Sequence, residues 1–143
     1  DGDAHTTICV LEGFGQCLDA GFRGMEAGLK TAVIRGTEFL LSRGLFMGDR
    51  DARFRKLSYP WRYRYDLLRA LAFFADRHLL YDPRMQPALD WLRRKRKAEG
   101  WWVLENIHKG NVHFYPEEQG EPSRLITARA LHVLRQYPNG LDG

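Results

Sequence analysis

The chain has 143 residues, 44% of them hydrophobic and 28% charged, the balance of one ordinary globular domain. No apolar run approaches the roughly 18 residues that suggest a membrane span, and no secretory pattern opens the sequence. A net charge of +4 and a pI near 9.3 invite a polyanionic partner. No helix-turn-helix, zinc-finger or RNA-binding signature accompanies that charge, so no specific nucleic-acid partner is expected.

The first predicted helix runs from about Thr6 to Leu18. Ile8, Leu11, Gly15 and Leu18 share one face, and Val10, Phe14 and Cys17 share another, so the helix is expected to be buried on most sides. Gly13 and Gly15 inside it each cost up to about 1 kcal/mol against Ala, which points to close helix contact or room for a ligand. Gly21 is a natural left-handed cap. Cys9 and Cys17 lie about 12 Å apart along this helix, too far for a disulfide. Reduced, buried cysteines favour a cytoplasmic home.

A second helix is predicted over Met25 to Arg43, stopping at Gly44, with Ala32, Val33, Gly36, Phe39 and Leu40 as its apolar stripe. The connection from Leu45 to about Arg62 is long, and its closing Tyr59-Pro60-Trp61 implies order in its second half. The third helix covers about Tyr63 to Leu80. A fourth begins at Pro83 or Pro87, since proline suits a first helical turn, and continues to about Ala98 before Gly100. Its end carries Arg93-Arg94-Lys95-Arg96-Lys97, cations that complement a helix C-terminus and keep its outer face wet. Residues from about 100 to 122 read as an ordered aromatic loop with room for a short strand pair. Ser123 then caps a fifth helix that ends near Gln136.

These helices echo one another. Leu11-Glu12-Gly13-Phe14, Leu71-Ala72-Phe73-Phe74 and Leu131-His132-Val133-Leu134 are spaced sixty residues apart. Thr37-Glu38-Phe39-Leu40-Leu41 overlies Leu89-Asp90-Trp91-Leu92-Arg93 at an offset of fifty-two. The order is therefore A-B-A-B-A, the pattern of stacked helical hairpins that need neighbours to bury a core.

That alternation resembles the α/α toroid of terpenoid cyclases and protein prenyltransferases. Ala88-Leu89-Asp90-Trp91-Leu92 followed by Lys97 and Glu99-Gly100-Trp101-Trp102 is similar to the repeat ending of squalene-cyclase-like proteins. His5-Thr6-Thr7-Ile8-Cys9-Val10-Leu11-Glu12-Gly13 resembles the start of an inner helix in the prenyltransferase β subunit. The resemblance is nearest to bacterial cyclase-like proteins of unassigned activity. It implies an all-α fold of inner-outer-inner-outer-inner helices in a single domain, residues 1–143. Five helices make less than half a ring, so the rest of a longer chain, or self-association, is expected to cover the end helices.

In such a toroid the inner-helix N-termini rim a central cavity, and they suit anionic groups such as diphosphate. The resemblance makes His5 a zinc ligand, but the family's other ligands are missing, so no metal site is assigned and zinc is left open; a general base is its other reading. Trp61, Tyr65 and Asp66 join aromatic faces, which stabilise carbocations, to a carboxylate that moves protons. The alternative is that Trp61 packs on the core and Asp66 caps the third helix. The candidate catalytic residues are Asp66, Tyr65 and His5; Trp61, Arg69, Trp102, Glu105 and Arg124 are the candidate ligand contacts. Arg124 and Arg129 otherwise pair with Glu105, Glu117 or Glu121. Two functions are expected to compete. One is a cyclase- or prenyltransferase-like site for a polyprenyl or other hydrophobic ligand. The other is a non-catalytic binding or interaction module that keeps the fold without the chemistry.

Overall fold

The computed structural model describes residues 3–138. Five helices dominate it: α1 (Ala4–Asp19), α2 (Glu26–Ser42), α3 (Leu67–Asp76), α4 (Gln86–Arg94) and α5 (Arg124–Gln136). Two short strands, β1 (Trp102–Val103) and β2 (Pro122–Ser123), pair antiparallel with Trp102 opposite Ser123. The chain is thus helix-dominated, with the strand pair joining the two ends of the aromatic segment.

Helix α1 packs along α2 as a hairpin, and α3 lies against α1, α4 and α5. Asp3 starts α1 by accepting the Thr6 N–H at 3.0 Å, two residues before the predicted start. Its end is a Schellman turn: Gly21, at φ +68°, donates to the Leu18 carbonyl while Phe22 donates to that of Cys17. The hairpin closes tightly at Gly36, where a Cβ would stand 2.6 Å from Leu11 Cδ2. Gly13 faces open space, whereas a Cβ at Gly15 would stand 3.3 Å from Arg77 Cδ, so the tightest small-residue positions of these two helices are Gly36 and Gly15.

Every residue of α3 from Leu67 to Ala75 is buried. The helix is shorter at both ends than its apolar pattern predicts. Asp66 is extended (φ −147°, ψ 168°) and its carboxylate accepts the Arg69 N–H at 2.8 Å, so helical winding cannot begin at Tyr63. His78 adopts φ +50° beyond the C-terminus. Helix α4 likewise stops at Arg94, because the Lys97 N–H turns to the Trp101 carbonyl. The basic run around that turn is largely engaged. Arg93 donates to the Tyr137 carbonyl, Lys95 pairs with Glu105 at 2.7 Å, and Arg96 stands over the Trp102 ring.

The long connection after α2 is ordered by aromatic contacts. Short 3-10 turns at Gly44–Phe46 and Ala52–Arg55 bring Phe46 and Phe54 edge-on to Tyr65, with centroids 5.7 and 5.0 Å away. The same connection reaches the aromatic segment, where the Glu105 and Asn106 N–H groups both donate to the Leu57 carbonyl. Among the described residues, no helix is long and apolar enough to cross a membrane.

Candidate functional site

The helices α1, α3 and α5 and the segment from Tyr59 to Arg62 surround an open cavity of about 470 Å³. Glu12, Gly15, Gln16 and Asp19 line it from α1; Arg69, Phe73 and Asp76 from α3, with Arg77 at its C-cap; Arg129 from α5. Trp61 stands between two guanidinium groups, Arg129 at 4.5 Å from its ring and Arg69 at 5.8 Å. Four arginines and three carboxylates therefore line the cavity together with Tyr59, Trp61 and Phe73.

The arginines are not equivalent. Arg69, 5% exposed, places all five of its N–H donors. Nε and one terminal nitrogen clasp Glu12 at 2.9 and 2.6 Å, that nitrogen also meeting Cys9 Sγ at 3.6 Å. The other terminal nitrogen donates to the Arg62 and Arg64 carbonyls. Such a fork locks the extended approach to α3 onto α1, and a lysine could not reproduce it. Arg77 pairs with Asp19 at 2.6 Å and also reaches the Gly15 carbonyl. Asp76 pairs with His132 at 2.9 Å. Among the described residues, neither Arg62 nor Arg129 has a carboxylate partner, and Arg129 holds its charge over the Trp61 ring at the cavity.

The three proposed catalytic side chains are not among the residues that line this cavity, and each is tied to the backbone. His5 Nδ1 accepts the Tyr65 N–H at 2.8 Å. The Tyr65 hydroxyl, buried, donates to the Leu45 carbonyl at 2.6 Å. Burial and the neighbouring Asp66 charge raise the Tyr65 phenol well above its ordinary value. Asp66 is fully buried at the N-terminus of α3, where one oxygen serves as the cap. Burial pushes its carboxyl up to about 7, against the lowering pull of the Arg69 N–H, the Trp61 indole, the Arg69 charge and the Ser58 N–H. Its second oxygen and the Trp61 indole nitrogen are both buried, and neither completes a hydrogen bond.

The remaining candidates are elsewhere. Trp102 is buried, its indole donating to the Leu92 carbonyl at 2.8 Å and its backbone N–H to Thr127 Oγ1. Glu105 holds Lys95 and accepts the Leu57 N–H at 2.9 Å. Arg124 is exposed at the start of α5, beside a separate depression that includes Trp101 and Thr127. It is the backbone N–H of Arg124, not its guanidinium, that donates to Glu117. Ser123 accepts the Ile126 N–H and donates to Glu117 in a short hydrogen bond.

Among the described residues, no three His, Cys, Asp or Glu side chains gather as a metal site would require. With Nδ1 of His5 taken by Tyr65, the residues around it do not fit a zinc centre. Glu12, Phe73 and Arg77 belong to the cavity although composition did not single them out. The one signal for Glu12 was a carboxylate inside an otherwise apolar helix pattern.

Beyond the cavity, His108 lies in a cationic neighbourhood. Burial lowers its imidazole below the ordinary value, and the charges of Arg64, Arg53, His5 and Arg62 push the same way. The chain matches no protein-family model, no curated protein and no solved structure.

Proposed function

We propose that this chain is a binding module of helical-hairpin, α/α-toroid type whose cavity takes a ligand with an anionic head and an apolar body. One observation carries the reading: Arg129 lies on the Trp61 ring at 4.5 Å, without a carboxylate partner among the described residues, at the mouth of a cavity shared with Phe73. A guanidinium held over an aromatic face is positioned to receive a phosphate or carboxylate by paired hydrogen bonds. Phe73 and Trp61 supply the apolar wall. A polyprenyl diphosphate fits that description and is the ligand class implied by the resemblance to cyclases and prenyltransferases. In a toroid of this kind, further hairpins would cover Val10 on α1 and Ile34 on α2, which are exposed.

Binding is preferred to catalysis because His5 and Tyr65 hold backbone and Asp66 has no exposed surface. The test is calorimetric titration of the full chain with farnesyl diphosphate and with inorganic pyrophosphate, beside Arg129→Met. Losing a charged hydrogen bond should weaken binding about tenfold or more. Unchanged affinity in Arg129→Met would overturn the assignment of the head-group site.

A catalytic reading rests on the Asp66 carboxyl, a buried acid pushed up to about 7 next to Trp61. It requires farnesyl diphosphate to be converted to product by the wild type and not by Asp66→Asn. Recovery of unconverted ligand leaves the binding module.

A further inference from the structure

A second surface, distinct from the cavity ligand, joins unpaired cations to exposed apolar side chains. Arg62 lies across Gly110 so closely that any Cβ there would overlap its guanidinium, which ties the start of the 110–116 loop to the approach to α3. Arg64 stands over the exposed Tyr63 ring at 5.0 Å, and Lys109 is exposed beside Gly110. Neither has an ion-pair partner among the described residues, whereas Arg53 nearby is held by Asp51. Just past Gly110 the loop exposes Val112 by 40%, Phe114 by 76% and Tyr115 by 44%. A single exposed apolar residue is ordinary, but several on one loop beside free cations make an amphipathic patch.

We propose that this rim seats the protein on an anionic lipid surface. Phe114 and Val112 enter the boundary between head groups and acyl chains. Tyr63 and Tyr115 sit at head-group level, where aromatic rings with a polar tip are favoured. Arg64 and Lys109 meet the lipid phosphates, at about fivefold in affinity for each cation close to the surface. This is attachment to one leaflet and needs no spanning helix. A single-stranded nucleic acid would also meet cations and rings, but Val112 offers no face on which a base can stack. The aliphatic member of the patch favours the bilayer.

The experiment is co-sedimentation of the full chain with phosphatidylcholine vesicles, with and without phosphatidylserine, and fluorescence anisotropy with a labelled single-stranded oligonucleotide. Phe114→Ser and Lys109→Gln are compared with the wild type after circular dichroism shows that they keep the fold. The wild type should pellet with the serine-containing vesicles and remain in solution with phosphatidylcholine alone. Removing the buried ring should reduce vesicle binding about tenfold or more. Lys109→Gln should reduce it about fivefold, and added salt should weaken it further. Failure to pellet, equal pelleting of Phe114→Ser, or preferential capture of the oligonucleotide would overturn the proposal.

Discussion

The backbone N–H of Tyr65 donates to Nδ1 of His5 at 2.8 Å, bringing together two positions that the helical repeat aligns sixty residues apart. The bond fixes the start of α1 beside the extended approach to α3, and Phe54 closes over the imidazole with centroids 5.3 Å apart. His5→Ala leaves that N–H without an acceptor, at a cost of about 1–3 kcal/mol. Urea denaturation should show the loss as a lower midpoint at unchanged slope. Full stability in the variant would mean that water replaces the imidazole.

Asp66 should make stability fall as pH rises. Its ordinary value is 3.8 and the folded protein raises it to about 7, so between these values the folded state binds the proton that the unfolded chain releases. The group's contribution is therefore greatest below the unfolded value and is lost as pH climbs to the folded one, by up to about 4 kcal/mol. Asp66→Asn retains a capping oxygen and cannot ionise. Denaturation at about pH 5 and about pH 8 should show the variant gaining on the wild type at the higher pH. A difference independent of pH would show that the carboxylate is stabilised as an anion.

Arg69 should tolerate no conservative replacement. Arg69→Lys keeps the charge but loses the fork that holds Glu12 and two carbonyls at once. Because Glu12 is half-buried, breaking the pair should cost less than the loss of a fully buried one, which is about 3–5 kcal/mol. A double-mutant cycle with Glu12→Gln should return a coupling energy above about 1 kcal/mol. Additive losses would assign the stability to the backbone carbonyl contacts.

Two glycines should respond oppositely to alanine. Gly13→Ala adds a Cβ with nothing within 4 Å and removes a helix penalty, so it should stabilise by up to about 1 kcal/mol. Gly36→Ala must displace Leu11 across the α1–α2 contact, and overpacking there should cost about 1–3 kcal/mol. Thermal melts of the two variants should move in opposite directions.

The helices were legible because their apolar residues recur at helical spacing, and α3 follows from Leu67, Leu68, Leu71 and Phe74 alone. Its boundaries were not, since apolar periodicity continues through Tyr63 and Tyr65 while capping by Asp66 decides where winding begins. Capping is one of the two readings that the sequence leaves open for that residue. The aromatic loop leaves room for a short strand pair, but β2 lies at its very end, where helix α5 is about to start. The site was harder to read. His5 meets the Tyr65 backbone, as the sixty-residue alignment suggests, but of Trp61, Tyr65, Asp66 and His5 only Trp61 lines the cavity. The Arg69–Glu12 fork and the stacking of Arg129 on Trp61 depend on side-chain reach across separate helices, which no local spacing encodes.

With Leu67 through Ala75 buried, the backbone of α3 is shielded by packed side chains even where Arg69 and Phe73 border the cavity, and water reaches it only when the surrounding helices part. Its amide protons should consequently exchange with solvent only when the whole domain opens, while those at the ends of α1 and α2 exchange through local fraying. A ligand in the neighbouring cavity would then register at α3 as slower exchange even though it touches only one side of that helix, making this segment the natural reporter of occupancy.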